Sequence, residues 1–221
     1  MRNCHLDLID LFPISTRAHT PTELALAKAG IESLRPVRVF ECPTCLVEAI
    51  IDGEGLGDAH SAFEDALKAC SIYKQWQKSM PYLKDVLQLS AYRYKKKHHN
   101  DACAINRELL SVGRYLQSGQ ILYRGGIFTS ERIIISDGPI STSMHPSVAR
   151  WHAIEVSGQI AILRIPKNKS VLAYPYKTSG NQRLKHEYEV LLQNNLRLEE
   201  TSMHSHNGTE IRSYDVYPQN A

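Results

Sequence analysis

The stretch His186-Glu187-Tyr188-Glu189-Val190-Leu191-Leu192-Gln193-Asn194-Asn195 sets two glutamates, two residues apart, directly against three apolar residues. In an extended segment, alternate side chains share a face, so Glu187 and Glu189 are expected to point the same way. Two acids side by side on a half-buried face repel each other and lose hydration. Such a pair is either a solvated outer edge or a site that uses both carboxylates. The residues earlier in the chain separate the two readings.

With 221 residues, 43% of them hydrophobic and 22% charged, the chain can bury a full core as one large domain or as a domain with a helical extension. No apolar run approaches the roughly 20 residues that span a bilayer. The start, MRNCHLDLIDLFP, carries acids where a secretory leader needs an unbroken apolar stretch. A cytoplasmic protein with no membrane partner is therefore expected, or one delivered into a target cell by a route independent of a signal peptide. The five cysteines are odd in number and mostly scattered, which suits a reducing compartment better than a disulfide framework. A net charge of +3 permits an acidic partner without requiring one.

Thr20-Pro21-Thr22-Glu23 reads as a helix start, with a threonine cap, proline at the first helical position, glutamate three after the cap and Gly30 as the stop. Residues Pro36 to Phe40 look extended and lead into Cys42-Pro43-Thr44-Cys45. A lone C-x-x-C is half of a zinc site or a redox pair, and Cys4 and His5 are the nearest residues to complete a zinc site. Otherwise these are ordinary turn or buried cysteines. The glycine-rich loop Asp52 to Gly57 divides an N-terminal extension of unassigned role, residues 1–57, from the domain expected over 58–221. Apolar spacing predicts helices over 58–78, over 81–94 with Leu83, Val86, Leu87 and Ser90 on one face, and over 101–116 with Ala102, Ile105, Leu109 and Leu110 inward. Arg93-Tyr94-Lys95-Lys96-Lys97-His98-His99 lies between the last two and reads as a solvated connection or a nucleic-acid patch.

From Gln120 onward the texture changes to short extended segments, ILYRGG, RIIIS, AILRIP, SVLAY, EYEVLL, LRLEE and EIRSYDVY, punctuated by Gly, Pro, Ser and Asn. Asn207-Gly208 between the last two is a hairpin signal. A helical first part followed by strands predicts an α+β fold with a mostly antiparallel β core. Ser141-Thr142-Ser143 stands among the strands, followed by a short helix opening at Pro146.

Tyr123-Arg124-Gly125 at a strand end, then Ser141-Thr142-Ser143, then Glu187-Tyr188-Glu189 resembles the Arg/Ser-Thr-Ser/Glu-x-Glu set of the mono-ADP-ribosyltransferases, the group of the clostridial binary toxins and C3-like exoenzymes. Ala104 to Leu110 is similar to the helix those proteins carry before the arginine strand. The resemblance covers about residues 80 to 217, and the first eighty residues carry no match.

The resemblance implies an enzyme that cleaves NAD+ and transfers ADP-ribose, on a core of ADP-ribosyltransferase type. It assigns Arg124 to the pyrophosphate, where a planar fork of donors suits phosphate better than a lysine. Tyr123, Gly125, Thr142 and Ser143 fall to the NAD+ side of the pocket, and Trp151 or His152 falls near the place where relatives carry an aromatic against nicotinamide. Ser141 would orient Glu189, whose carboxylate would hold the ribose 2′-hydroxyl and stabilise the oxocarbenium-like transition state. Glu187 would polarise or deprotonate the acceptor. In the family a glutamate there accompanies arginine acceptors, so protein arginine is the first acceptor expected. The segment Tyr176 to His186 occupies the acceptor-recognition place, with Tyr174 or Tyr176 able to stack and with Lys177, Arg183 and Lys185 making it basic, which also suits an RNA or DNA base. A binding module on the same fold that has lost activity is the third reading. Family behaviour implies a toxin, effector or defence protein with an inhibitory antitoxin or immunity protein as partner.

Overall fold

A computed structural model describes residues 5–31, 36–53, 57–94, 102–177 and 188–219. The chain opens with β1 (His5–Leu6), β2 (Ile14–Ser15), α1 (Pro21–Lys28), β3 (Val39–Phe40) and α2 (Pro43–Asp52). Helices α3 (Asp58–Ala69), α4 (Ser71–Ser79), α5 (Leu87–Tyr94) and α6 (Ala102–Val112) follow. Next come β4 (Arg114–Leu116), β5 (Ile121–Gly126), β6 (Ile133–Ile135), β7 (Ile140–Ser143) and α7 (Pro146–Glu155). The chain ends in β8 (Gln159–Arg164), β9 (Val171–Pro175), β10 (Glu189–Leu192), β11 (Leu196–His206) and β12 (Thr209–Pro218).

Ten strands form one sheet in the order β1-β4-β9-β10-β7-β5-β8-β12-β11-β6. Among the described strands only β1 with β4 and β12 with β8 pair parallel, so the α+β architecture with a mostly antiparallel sheet is as the sequence predicts. Asn207 and Gly208 both take positive φ, 46° and 76°, and close the β11–β12 hairpin as that dipeptide should. The capping box at Thr20 is complete, with the Thr20 side chain accepting from the Glu23 backbone and the Glu23 carboxylate accepting from the Thr20 backbone.

The sheet is apolar on both faces. Val190 and Leu192 of β10 join a core with Leu46 and Ile50 of α2, Phe63 and Leu67 of α3 and Trp76 of α4. Leu191, between them, joins a second core with Leu83, Leu89, Ile105, Leu109 and Tyr174. The period of two along a strand sends neighbours to opposite cores. Leu6, Ile9, Ile14, Phe40 and Leu46 lie in the first core with the sheet, so the segment before Gly57 packs on the same body as the strands.

Three helices differ from their predicted spans. The helix expected over 58–78 breaks at Cys70, whose ψ of 120° ends α3 and starts α4. The break lets the Trp76 indole turn inward and donate to the Asp7 carbonyl at 3.0 Å. The helix expected over 81–94 is a 3-10 turn at Leu83–Asp85 followed by α5, because Val86 is extended at φ −123° and ψ 96°. That interruption resets the helical phase: Leu87 is 73% exposed and Leu89 is buried. The helix expected over 101–116 stops at Val112, so Leu116 becomes a strand residue and Leu110, expected inward, is exposed.

Gly125 brings β5 and α7 together. A Cβ there would stand 1.7 Å from the Ala149 carbonyl oxygen and 2.6 Å from the Ala153 nitrogen, both backbone atoms of α7. Gly125→Ala should therefore push the helix off the strand, at a cost of about 2 kcal/mol or more. The thermal midpoint is expected to fall by about 4–8 °C. An unchanged melting curve would refute this close approach.

Candidate active site

The three signature segments become neighbours in the sheet. Strand β7 lies between β10 and β5, with Glu189 opposite Ser143, Leu191 opposite Ser141 and Tyr123 opposite Ser143. Residues directly opposite across antiparallel strands share a face, so Ser141, Ser143 and Glu189 project together. The Ser141 hydroxyl donates to Glu189 Oε1 at 2.5 Å. The Arg124 guanidinium donates to the Ser141 carbonyl at 2.5 Å. The Thr142 hydroxyl ties β7 to β10 by donating to the Val190 carbonyl at 2.6 Å. The Ser143 hydroxyl accepts from the His145 backbone at 2.9 Å.

A fourth group completes the arrangement. Arg93 Nε lies 2.6 Å from Glu189 Oε2, with the two side chains 16% and 10% exposed. The sequence places Arg93 in a basic, solvent-facing run. In the structure it follows the buried Leu89 by one helical turn of α5, and that spacing turns it inward. The inward phase is visible only once the break at Val86 is known. Helix α5 is held at its start by Glu108 of α6, whose carboxylate accepts from the Leu89 backbone at 2.7 Å.

These groups open onto a cleft of about 560 Å³. Tyr92, Arg93, Arg124, Ser141 and Glu189 line it with Gly125 and Gly126 of β5 and with Val148, Ala149, His152, Glu155 and Val156 on the α7 side. The volume is that of a small-molecule or cofactor site. Burial lowers the Arg124 pKa, opposed by the charge of Tyr92 and Glu189, and a guanidinium survives such a shift as a cation. Burial raises the Tyr92 pKa, Arg124 opposes and Glu189 adds to it, so its phenol stays protonated and able to donate. Two guanidinium groups facing one cleft suit a ligand with a pair of phosphates. A carboxylate held at one oxygen by a hydroxyl and at the other by a guanidinium suits a ligand that develops positive charge beside it.

The structure thus brings together Arg124, Ser141, Glu189, Tyr123, Gly125, Thr142 and Ser143, all of which line the cleft. Tyr123 is buried, and its hydroxyl has no hydrogen-bond partner among the described residues. Trp151 does not line the cleft and is 38% exposed; the same helix presents His152 and Glu155 instead, one residue on and four residues on. Tyr176 is buried in the second core with its ring edge-on to Tyr174 at 5.3 Å, so it is not an exposed stacking platform. Lys177 donates to the Met80 carbonyl at 3.3 Å and lies over the Tyr82 ring. Glu187, Arg183 and Lys185 lie outside the described residues, as do Lys95 to His99.

The expectation that Glu187 and Glu189 sit on one continuous strand is corrected: β10 begins at Glu189, and Tyr188 before it has φ 45°. A bulky side chain at positive φ costs about 1 kcal/mol or more, so surrounding contacts must hold it there. The Cys42 sulfur caps α2 by accepting from the Cys45 backbone at 3.3 Å, and the two sulfurs lie 2.8 Å apart. His5 packs against the Tyr115 ring, Cys4 lies outside the described residues, and no group of three or more metal-ligating side chains occurs among the described residues. No described helix is long and apolar enough to cross a membrane.

No family model matches the chain, and no curated protein matches it by sequence. Among solved structures it is similar to the ADP-ribosyltransferase Vis in complex with agmatine, at 12% identity and TM-score 0.42, over 85% of this chain and 90% of that one. Vis is a toxin from Vibrio splendidus. It is also similar to the ADP-ribosylating toxin BECa of a binary enterotoxin of C. perfringens with NADH, at 14% identity and TM-score 0.39, over 65% of this chain and 45% of that one. A third is C3stau2 from S. aureus with NAD, at 14% identity and TM-score 0.38, over 72% of this chain and 92% of that one. These likenesses are distant, and the geometry of the cleft carries the chemistry on its own.

Beside the cleft, His145 caps α7: its Nδ1 accepts from the Ser147 backbone at 3.2 Å. Burial first, then the neighbouring His60, lowers its pKa to about 3. The unfolded chain takes up this proton near pH 6.5, and the folded chain refuses it until about pH 3. Stability from this group is complete above about pH 6.5 and falls on acidification toward pH 3, by up to about 1.4 kcal/mol per pH unit. Chemical denaturation between pH 7 and 4 should show that slope, and His145→Asn, which keeps a helix-capping oxygen, should flatten it.

Proposed function

We propose that this chain is a mono-ADP-ribosyltransferase, which cleaves NAD+ between nicotinamide and ribose and passes ADP-ribose to a macromolecular acceptor, with protein arginine as the acceptor class. The observation that carries this reading is the Ser141–Glu189 hydrogen bond at 2.5 Å, set between the guanidinium groups of Arg93 and Arg124 in one cleft.

The cleft supplies what the reaction needs. Arg124, anchored to the Ser141 carbonyl, offers its remaining donors to the pyrophosphate. Arg93 leaves Glu189 for the second phosphate, which frees a carboxylate oxygen for the ribose 2′-hydroxyl. As the C1′–N bond lengthens, its electron pair passes to the nicotinamide ring nitrogen and cancels the ring's positive charge. Positive charge then spreads over C1′ and the ring oxygen, where the fixed Glu189 carboxylate stabilises it. An acceptor nitrogen bonds to C1′ and its proton goes to Glu187 or to solvent. Arginine is favoured by Glu187 as the acceptor's base and by the ready fit of a guanidinium beside Glu189, as Arg93 demonstrates. Lys177, the described member of the basic segment, is already engaged with Met80 and Tyr82 rather than offered to a polyanion.

Purified protein should release nicotinamide from NAD+. Glu189→Gln is expected to lower turnover by 10²-fold or more, on the scale of losing one transition-state stabiliser. Ser141→Ala is expected to cost about 10-fold, the range of one hydrogen bond to a charged group. Unchanged turnover in Glu189→Gln would remove the mechanism. Label from radioactive NAD+ in a whole lysate should be lost on protease treatment; loss on nuclease treatment instead would make the acceptor a nucleic-acid base.

A further inference from the structure

Helix α3 lies far before the motif strands in sequence, yet one face of it meets β5, the start of α7 and the residue before β10. His60 Nδ1 lies 2.9 Å from the Ser147 hydroxyl at the start of α7. The Phe63 ring stands edge-on to Tyr123 of β5 at 6.3 Å and to His145 at 5.0 Å. Glu64 accepts a hydrogen bond from the Tyr188 hydroxyl at 2.7 Å. Residues 60, 63, 64 and 67 fall on one helical stripe, and Leu67 of that stripe is fully buried.

Tyr188 is the residue between the two glutamates, and it takes the unfavourable φ of 45°. Its ring is held by Tyr73 at 6.0 Å and stacked on His145 at 5.7 Å, and its carbonyl accepts from the Met144 backbone at 2.9 Å. The Glu64 bond is the polar end of this grip. Burial of Glu64 works against its ionisation, but the Tyr188 hydroxyl and Lys68 outweigh it and hold its carboxyl below the usual range, so the acceptor is an anion and the bond charge-assisted. Lys68 pairs with the same carboxylate at 3.0 Å through its other oxygen. Tyr188 reaches away from the cleft into the first core while Glu189 reaches into the cleft, so tension or slack in one is passed to the other through a single Cα–Cα link.

We propose that Glu64 of α3 is a positioning residue for the reaction, acting through the Tyr188 hydroxyl to hold the backbone turn from which Glu189 enters the cleft. The inference rests on the functional reading above, because its readout is NAD+ cleavage. Neither Glu64 nor Tyr188 lines the cleft, so loss of their bond leaves the groups assigned to NAD+ binding in place. The geometry of the carboxylate at the developing charge is what should suffer.

The test is steady-state NAD+ cleavage by the full chain and by Glu64→Ala, Glu64→Gln, Tyr188→Phe and the Glu64→Ala/Tyr188→Phe double variant, each checked for folding by circular dichroism and thermal melting. Glu64→Ala and Tyr188→Phe should each lower kcat by about 10-fold with KM for NAD+ within about two-fold, the signature of an interaction that matters only in the transition state. The double variant should be no worse than either single one, since both remove the same bond. Glu64→Gln keeps an acceptor oxygen and should recover most of kcat. Wild-type cleavage with kcat unchanged in folded Glu64→Ala would overturn the positioning role and leave the functional reading standing. A loss in KM alone, or additive losses in the double variant, would also overturn it. Failure of the wild type to cleave NAD+ would sink the functional reading and this inference with it.

Discussion

The hydrogen bond from Ser141 to Glu189 exists because β10 cannot slip against β7. Strand β10 is four residues long and has strands on both sides, β9 and β7. A shift of one residue would exchange its two faces, moving Glu189 from the cleft into apolar packing and Val190 into the cleft. Both faces resist that exchange, because Val190 and Leu192 are buried in one core and Leu191 in the other. The Thr142 hydroxyl on the Val190 carbonyl adds a polar latch at the same register. The position of the carboxylate is thus set by apolar burial along the strand that carries it, more than by its own polar partners.

Holding an anion in this half-buried place has a desolvation cost, which the neighbours offset. One carboxylate oxygen takes the Ser141 hydroxyl and the other takes the Arg93 guanidinium. A partly buried ion pair adds little net stability, but removing one partner leaves an uncompensated charge. Arg93 therefore pairs with Glu189 and orients it, and it is placed to trade the carboxylate for an anionic ligand. Arg124 is held differently: its bond to the Ser141 carbonyl fixes the fork without neutralising it. The site is preorganised, with Arg93 paired to the carboxylate and Arg124 anchored to a backbone carbonyl.

Much of this was legible in the residues, and the gaps have physical causes. Asn207-Gly208 and the Thr20 capping box act over two to four residues, so local chemistry alone determines them. The strand segments from Gln120 onward kept their places because both the alternating pattern and the Gly, Pro and Asn punctuation are local too. The three signature segments were found by type and order, and pairing along the sheet then made them neighbours. Arg93 was hidden for the opposite reason. Its neighbours in sequence are lysines and histidines, and its partner Glu189 is almost a hundred residues away. Helical phase counted from Leu89 would have turned it inward, but the break at Val86 that sets the phase depends on tertiary packing. Tyr188 defeated the reading of a continuous strand in the same way, since its φ is held by Glu64, Tyr73 and His145 rather than by its own preference. Trp151 and His152 differ by one helical step of about 100°, which decides which of them faces the cleft.

The division of the chain into a helical first part and a stranded second part describes composition, and the cleft does not respect it. Strand β10 is gripped from both faces by helices from the first part. On one face α3 holds Tyr188, one residue before the carboxylate; on the other α5, seated over Leu191 by the second core, delivers Arg93 to the carboxylate itself. A sheet alone could bring Ser141 and Glu189 into line, since their alignment follows from register. It could not set the turn before Glu189 or supply the guanidinium that balances it. Helices that carry no recognisable motif are therefore as necessary to the shape of this site as the strands that do, because each controls one face of the same four residues.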